Sequence, residues 1–474
     1  MEMHPKCVLQ LSLKEMALRR VVAGLWSGSD ILAAISNFNF DLFSPGEKKS
    51  AWREITEDKI KDKVLKLELP KSLTKQMTEI VKPMSLDVRR WIESHKEYFI
   101  DSCDGNNPPD LTKLRWTAAG TIDNRKTAEE FVRCDVLHVE QSYRLACFYC
   151  LEDDIPLIFE KLPEERKRFY YTHNINIRLE FCWPHILKGD LSKLEQFVRK
   201  FNRNPFTFYQ YAFEYSAENG NRTAAEYFFR KLSSQERGDS LMRSVHAVFP
   251  KIKNFDPFES TEFLQKETIS SVFCYLLSVM SPIQQLEIFQ SRPIDVMYVF
   301  LDWPWHDLFL ENAGIIWTFL PPNSYGNLLR NMIYNYEYSN LYFPKLYQEI
   351  FVQSPPDFKK CFIDEEHENY IPACGFLCQF FDYPDPEIIG VIFGNFDPVD
   401  RVELLFHSHV LLQLYRCMLE DEWHVVEACL REVRLSEKDK VRLKEAFMGF
   451  LKRSVKRDDE LGNLNLKRFF EFLG

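Results

Sequence analysis

Two pairs of cysteines have a spacing that could bind a metal ion. Cys147 and Cys150 form a C-x-x-C pair, while Cys374 and Cys378 are four positions apart, with His367 nearby. A structural zinc site takes four such ligands in two close pairs. Here the pairs are separated by more than 200 residues, and each lies in an apolar, helix-forming context. The preferred interpretation is therefore buried free thiols, and we predict no metal and no other cofactor.

Other residue types that catalyse reactions occur without a catalytic spacing. The adjacent acids Asp153-Asp154 and Glu365-Glu366 are of the type that caps helices. The two imidazoles of His407-Ser408-His409 do not share a helix face, because they are two positions apart. The sequence contains no phosphate-binding loop, nucleophile elbow, zinc-protease motif or kinase motif. It therefore predicts no catalytic residues and a protein that is not an enzyme, with an enzyme that has an unrecognised site as an alternative.

The composition favours packed helices and disfavours two classes of partner. Glycine is scarce, at 16 of 474 residues, and aromatic residues make up 15%, which suits helix packing filled by large rings. The formal net charge of −10 disfavours a nucleic-acid partner, because phosphate contacts need a concentrated basic surface. No apolar run reaches 18 residues, so no membrane partner is predicted.

The cysteine content and the first residues of the sequence indicate the cellular compartment. Twelve cysteines in a chain of this length are typical of a protein whose thiols stay reduced. The opening Met1-Glu2-Met3-His4-Pro5-Lys6 differs from a secretory signal. We therefore predict a cytoplasmic protein, and the nucleus remains an alternative.

The middle of the sequence repeats one pattern: an apolar helix, a short polar turn and a second helix. Gly189 and Gly220 mark two of the turns and are 31 residues apart. The three copies pair Tyr143–Cys150 with Ile155–Leu162, Ile177–Leu187 with Leu191–Phe201, and Tyr209–Ala217 with Arg222–Leu232. Further copies are predicted on either side of Ser281-Pro282 and of Glu420-Asp421-Glu422. This spacing is typical of helical hairpins that bury their faces against the next copy.

The array also resembles degenerate ankyrin-type repeats. Ala217-Glu-Asn-Gly220-Asn221, followed by Ala224-Ala225-Glu226, is similar to the polar, glycine-containing turn between the helices of an ankyrin unit. The Thr-Pro-Leu-His opening of those units is absent. The fold class that we predict is all-α, with an α-solenoid-like array of antiparallel helix pairs after an N-terminal helical segment. The predicted limits are 1–100 for that segment, 101–134 for a linker rich in turn-forming residues, and 135–474 for the array.

The N-terminal segment is predicted to contain two helices with clear starts. Residues 11–26 form an amphipathic pattern, and Ser12 with Glu15 matches a capping box at its start. Its apolar stripe comprises Leu13, Met16, Ala17, Val21, Gly24 and Leu25. A later helix is predicted to begin just after Pro70, because proline is favoured at helix starts.

These two helices carry a second resemblance. Ser12-Leu13-x-x-x-Ala17-x-x-x-Val21 resembles the Elongin C-binding box of SOCS-box and VHL-box proteins, and Leu67-x-Leu69-Pro70-x-x-Leu73-x-x-x-Met77 resembles the cullin-contacting Leu-Pro motif that follows that box. The resemblance implies that Leu13, Ala17 and Val21 dock in a groove of Elongin C. It further implies that Leu69, Pro70 and Leu73 support contact with a cullin. The sequence departs from these families in having Ala17 where cysteine is usual, a long gap between the motifs, and an N-terminal position.

Two related functions follow from this organisation. The first is a non-enzymatic scaffold or adaptor, whose helical-repeat surface binds another protein. The alternative is a substrate receptor that uses the N-terminal box to bring its partner to a cullin–Elongin ubiquitin ligase.

Overall fold

The computed structural model describes residues 5–38, 50–99, 111–134, 137–172, 178–201, 207–253, 260–329, 332, 344–364, 386–454 and 460–473. The protein is all-α, with 79% helix, which confirms the predicted class. Within these ranges there is no strand, and the isolated antiparallel bridge between Trp116 and Ile122 is the nearest approach to one.

The chain divides into two compact units, of which the N-terminal unit holds the described residues of Lys6–Gln285 and Asp302–Trp305. Its helices are α1 (Leu13–Trp26), α2 (Ser29–Ser36), α3 (Lys59–Leu65), α4 (Lys71–Ser94), α5 (Lys96–Phe99), α6 (Asn124–Arg133), α7 (Val139–Phe148), α8 (Ile155–Lys161), α9 (Glu164–Thr172), α10 (Leu179–Leu187), α11 (Ser192–Phe201), α12 (Phe208–Glu218), α13 (Arg222–Lys231), α14 (Ser234–Lys253) and α15 (Ser260–Val279). A π-helical stretch, Arg53–Asp58, precedes α3 directly.

The C-terminal unit holds the described residues of Met1–Pro5, Leu286–Leu301 and His306–Gly474. Its helices are α17 (Pro293–Phe300), α18 (His306–Ile316), α19 (Pro344–Gln353), α20 (Pro356–Asp364), α21 (Pro386–Gly394), α22 (Pro398–Phe406), α23 (Ser408–Leu419), α24 (Trp423–Val433), α25 (Glu437–Ser454) and α26 (Glu460–Leu473). The remaining helix, α16 (Pro282–Ser291), begins in the N-terminal unit and ends in this one.

The predicted helix starts in the N-terminal segment are confirmed. Ser12 Oγ accepts a hydrogen bond from the Glu15 amide at 3.2 Å, and Glu15 Oε2 accepts one from the Ser12 amide at 2.9 Å. This capping box pairs backbone groups that the first turn of α1 would otherwise leave unpaired. Pro70 directly precedes α4 and occupies its N-cap position.

Part of the segment 101–134, predicted as a linker, is folded. Residues 101–110 lie outside the described part of the chain. Further on, the Thr117 amide donates to the Thr121 carbonyl at 2.8 Å, which closes a tight hairpin. Helix α6 then buries Ala128 and Phe131 and packs on α7. Both predicted boundaries of the linker, at residues 100 and 134, lie within the N-terminal unit.

The turns of the predicted hairpins share one backbone geometry. Gly189 and Gly220 have φ angles of 68° and 74°, and Cys150 and Asp421, with φ of 51° and 61°, adopt the same left-handed conformation. In each turn the next amide donates to the carbonyl five residues earlier: Leu151 to Ala146 at 3.0 Å, Asp190 to His185 at 3.0 Å, Asn221 to Ser216 at 2.9 Å, and Glu422 to Cys417 at 2.7 Å. This is the Schellman ending of a helix, so four predicted hairpins reverse the chain in the same way.

Hydrogen bonds from side chains to backbone carbonyls link the three central hairpins. They run from Tyr143 Oη to the Glu180 carbonyl at 2.8 Å, from Trp183 Nε1 to the Cys147 carbonyl at 3.2 Å, and from Asn221 Nδ2 to the Phe148 carbonyl at 2.8 Å. Cys147 and Phe148 end α7, where a helix leaves carbonyls without a partner of its own, whereas the Glu180 carbonyl lies four residues before Pro184, which has no N–H to donate.

None of the described helices combines the length and the apolar character that crossing a bilayer requires.

Candidate functional site

The described cysteines of the candidate metal site, Cys147 and Cys150, are buried thiols. Neither they nor Cys182 form a disulfide, and burial raises the pKa of all three, that of Cys182 to about 12. Such thiols are poor nucleophiles and poor ligands. In the described residues, no three or more His, Cys, Asp or Glu side chains are grouped to hold a metal ion. The other candidates, Cys374, Cys378, His367 and Glu365-Glu366, lie outside the described residues.

Two further polar candidates have structural contacts. His407 Nδ1 accepts a hydrogen bond from the His409 amide at the start of α23, so the imidazole caps that helix. Asp154 occupies the N-cap position of α8, yet its side chain makes no capping bond. Instead it accepts two hydrogen bonds from Arg133, at 3.0 and 2.9 Å, and the capping role expected for this acid is wrong.

Helix α1 presents an apolar stripe to solvent. Leu13 is 82% exposed and Val21 is 44% exposed, and Ala17 between them is also exposed. These residues are four positions apart, so they lie on one face of the helix. A leucine as exposed as this one loses the benefit of burial, which makes the stripe a candidate surface for a partner.

The other side of α1, away from the exposed stripe, is packed into the N-terminal unit. Leu18, Val22 and Trp26 are buried, and α1 packs on α3 and α4. Met16 and Leu25, which the sequence places in the exposed stripe, are half-buried at its edge. One side of α1 is therefore fixed by the core while the other remains available.

A buried arginine anchors α1 at its middle. Arg19 is 6% exposed, and its Nη1 donates to the Ala119 carbonyl at 3.0 Å. The guanidinium carbon also lies 4.2 Å from the centre of the Trp303 ring, a cation–π geometry. Sequence reasoning missed both residues, because nothing local indicates that Arg19 faces inward or that Trp303 reaches it.

The second proposed segment lies between α3 and α4 and is also exposed. Leu65, Leu67 and Leu69 are exposed large apolar residues. Glu68 has a φ of 51°, so the chain reverses sharply among them. Pro70 is exposed as well, while Leu73 is half-buried, and Met77 one turn further on is fully buried. The Leu-Pro motif thus begins in solvent and ends in the core.

The two segments belong to one structural cluster. Arg19 of α1 contacts the hairpin near residue 119, and Asp87 of α4 accepts a hydrogen bond from the Ile122 amide of the same hairpin. At the other end, Lys63 of α3 forms an ion pair of 2.6 Å with Asp30, just after α1. The hairpin near residue 119 therefore contacts both α1 and α4, and α3 is tied to the residues that follow α1.

The charged residues of α1 lie beside the apolar stripe and are not part of it. Lys14 and Arg20 are exposed there. Partial burial acts to raise the pKa of Glu15, but the hydrogen bonds from Ser12 outweigh it and lower that pKa, so the carboxylate stays ionised in its cap. The arrangement can insert small and branched apolar side chains into a groove.

No protein-family model matches this chain, and no curated protein matches it either.

Proposed function

We propose that the protein is a non-enzymatic adaptor that binds other proteins through its helical surfaces. The observation that carries this proposal is the exposure of Leu13, Ala17 and Val21 on a helix whose opposite side is anchored by Arg19 and Trp26. A fixed helix loses little conformational entropy when it docks, which favours recognition by a groove.

We further propose that the helix pairs from α7 to α13 form an α-solenoid-like array with a second protein-binding surface, and that α23 and α24 form a further pair of the same kind within the C-terminal unit. The shared turn geometry supports this proposal, because hairpins that reverse in the same way are the repeating unit that such an array needs. The hydrogen bonds from Trp183 and Asn221 to carbonyls of the first hairpin support it too.

The partner that we propose for α1 is Elongin C, with the protein acting as a substrate receptor of a cullin–Elongin ubiquitin ligase. The three exposed residues are those that the resemblance to the SOCS and VHL boxes assigns to the Elongin C groove. Leu69 and Pro70, assigned to the cullin side, are also exposed, whereas Leu73 is half-buried and contributes less surface. Helix-in-groove binding of this kind needs no catalytic group in the adaptor.

Capture of purified Elongin B–C by the immobilised full-length chain tests this proposal. We expect the wild type to retain the Elongin pair and Leu13→Asp to lose it, because a carboxylate in an apolar groove carries a desolvation cost. The matched control is Ile283→Asp, since Ile283 is 81% exposed, close to the 82% of Leu13, and lies outside α1. Equal retention by both variants, or none by the wild type, contradicts the assignment.

A second capture tests the cullin side. With Elongin B–C present in excess, Leu69→Asp should retain the Elongin pair and lose an added cullin, because Leu69 is assigned to the cullin contact alone. Loss of both partners together would mean that Leu69 belongs to the Elongin contact instead.

We also propose a cytoplasmic location, with the nucleus as the alternative. The cysteines in the described residues form no disulfide, and Cys147, Cys150 and Cys182 are buried in the core of one unit as thiols. A reducing compartment keeps such thiols unpaired. Imaging of the tagged full-length chain checks this, and accumulation in a secretory compartment would contradict it.

A further inference from the structure

A short turn, Asp302–Trp305, belongs to the N-terminal unit, although the chain on both sides of it belongs to the C-terminal unit. The Trp305 amide donates to the Asp302 carbonyl at 2.8 Å, which closes the turn. Its chain neighbours Leu301 and His306 already count with the C-terminal unit, so no linker separates the turn from its flanks. Because consecutive Cα atoms keep a fixed separation, a movement of either neighbour is passed to the turn without slack.

Asp302 anchors the turn in the N-terminal unit. Its carboxylate accepts a hydrogen bond from the Ser270 hydroxyl of α15, and both residues are buried. Burial lowers the pKa of Arg90 in α4, and the carboxylates of Asp87 and, less strongly, Asp302 act against that shift, so Asp302 also attracts this guanidinium. Because a buried charge that loses its partners is costly, these contacts favour the inserted position of the turn.

Trp303 connects the turn to α1. The centre of its ring lies 4.2 Å from the guanidinium carbon of Arg19, whose Nη1 also donates to the Ala119 carbonyl. Gly120, next to Ala119, lies so close that an added Cβ would be 3.3 Å from the Cβ of Arg19. The middle of α1 is therefore in contact with both the hairpin and the turn, and loss of the turn removes one of these restraints.

The flanks of the turn are built into the core of the C-terminal unit. Helix α17 buries Val299 and Phe300 just before the turn, and α18 buries Leu308 and Phe309 just after it; all four are 0% exposed. The two helices also pack on each other. While both are folded they hold the two ends of the turn, so closing it costs less conformational entropy.

We propose that the turn Asp302–Trp305 couples α1 to the C-terminal unit, so that α1 is fully held only while α17 and α18 are folded. Opening of either helix loosens the closed turn, weakens the contact between Trp303 and Arg19, and lets α1 open more often. Whatever stabilises the C-terminal unit then strengthens docking through α1, because it shifts the same equilibrium. This regulatory consequence rests on the proposed adaptor function, whereas the coupling itself does not.

Hydrogen–deuterium exchange of the full-length chain, without any partner, tests the coupling from both ends. Phe309→Leu in α18 should speed exchange of the α1 amides by roughly twofold to thirtyfold. Arg19→Met should speed exchange in α17 and α18, because coupling between two sites is reciprocal. The matched controls are Phe447→Leu, equally buried in α25 of the same unit, and Arg20→Met on the exposed side of α1. Phe447→Leu should leave α1 unchanged, and Arg20→Met should leave α17 and α18 unchanged.

A double-variant cycle shows whether the turn carries the coupling. In a Trp303→Leu background, Phe309→Leu should speed exchange of α1 no further, because the contact with Arg19 is already lost. Additive effects of these two substitutions would overturn the proposal. Unchanged exchange of α1 in Phe309→Leu, or an equal change in Phe447→Leu, would overturn it too.

Capture of Elongin B–C then tests the regulatory consequence. Phe309→Leu should retain less of the pair than Phe447→Leu does, because its α1 is less well held. Equal retention, with exchange of α1 faster in Phe309→Leu alone, would overturn the regulation. The exchange measurements use the free chain, so the coupling and the Elongin assignment fail independently of each other.

Discussion

Arg19 holds α1 in place partly through a hydrogen bond and a cation–π contact that a neutral side chain cannot replace. Arg19→Met keeps much of the volume but loses the hydrogen bond to the Ala119 carbonyl and the attraction to the Trp303 ring. We expect the free energy of unfolding to fall by about 2 kcal/mol. Urea unfolding followed by tryptophan fluorescence measures this. Arg20→Met, on the exposed side of the same helix, is the matched control and should stay close to the wild type. An equal loss in both variants would refute the anchoring role.

His95 makes the N-terminal unit sensitive to acid. Its ring is stacked on that of Trp91, its Nδ1–H donates to the Trp91 carbonyl at 2.6 Å, and its Nε2 accepts a hydrogen bond from the Tyr149 hydroxyl. The carbonyl can only accept, which assigns the proton to Nδ1. Burial lowers the pKa of His95 to about 4, from an ordinary value of 6.5. The folded state therefore holds the imidazole neutral at pH values where the unfolded chain already binds a proton.

This difference in pKa sets the direction of a pH effect. Between pH 6.5 and 4 the unfolded state binds more protons than the folded state, so the free energy of unfolding falls as the pH falls through that range. The contribution is fully present above pH 6.5, and its loss amounts to about 3 kcal/mol at the acid end. We expect His95→Gln to show a shallower decline, and the exposed control His424→Gln to keep the wild-type slope. Equal slopes for all three proteins would show that His95 does not set the acid response.

At the scale of elements, the left-handed turns give the hairpins their common form. Gly189 has a φ of 68°, and a Cβ added there would meet nothing within 4 Å, so Gly189→Ala tests backbone strain alone. We expect a loss of about 1 kcal/mol in the free energy of unfolding. Gly238, inside α14 and equally open, is the matched control, and Gly238→Ala should stabilise by roughly 0.5–1 kcal/mol. Equal changes of the same sign in the two variants would contradict the turn geometry.

The elements that the sequence predicts correctly have local causes. The capping box at Ser12, the start of α4 after Pro70 and the turns at Gly189 and Gly220 each follow from residues within one or two helical turns. The sequence pattern predicts that the first helix of the array extends to Cys150, whereas α7 ends at Phe148 and Cys150 has a φ of 51°. Cysteine gives no local signal for a positive φ. The apolar stripe of α1 was recognised, but the sequence could not show which face is buried.

The candidate site could also be predicted only in part from the sequence. Leu13, Ala17 and Val21 could be named from their spacing, because a helix places them on one face. Their availability depends on Arg19 and Trp303, which are brought together only by the fold.

At the scale of the molecule, the N-terminal unit is completed by residues far along the chain. Asp302–Trp305 belongs to this unit although the chain on either side of it belongs to the other. Asp302 accepts a hydrogen bond from the Ser270 hydroxyl of α15, and Trp303 packs on Arg19 of α1. Helix α1 is therefore fixed partly by a segment that follows it by nearly 300 residues, so its position depends on the folding of the whole unit.

Hydrogen–deuterium exchange of the full-length chain, with and without Elongin B–C, tests the central claim most directly. The protein is expected to show added protection of backbone amides across Leu13–Trp26, because docking suppresses opening of α1, with smaller changes near Leu67–Leu73. The Leu13→Asp variant should show none of this protection, while Ile283→Asp should show all of it. Protection confined to the helical hairpins, or unchanged exchange in α1 when the complex forms, would contradict the claim that the exposed stripe of α1 is the docking surface.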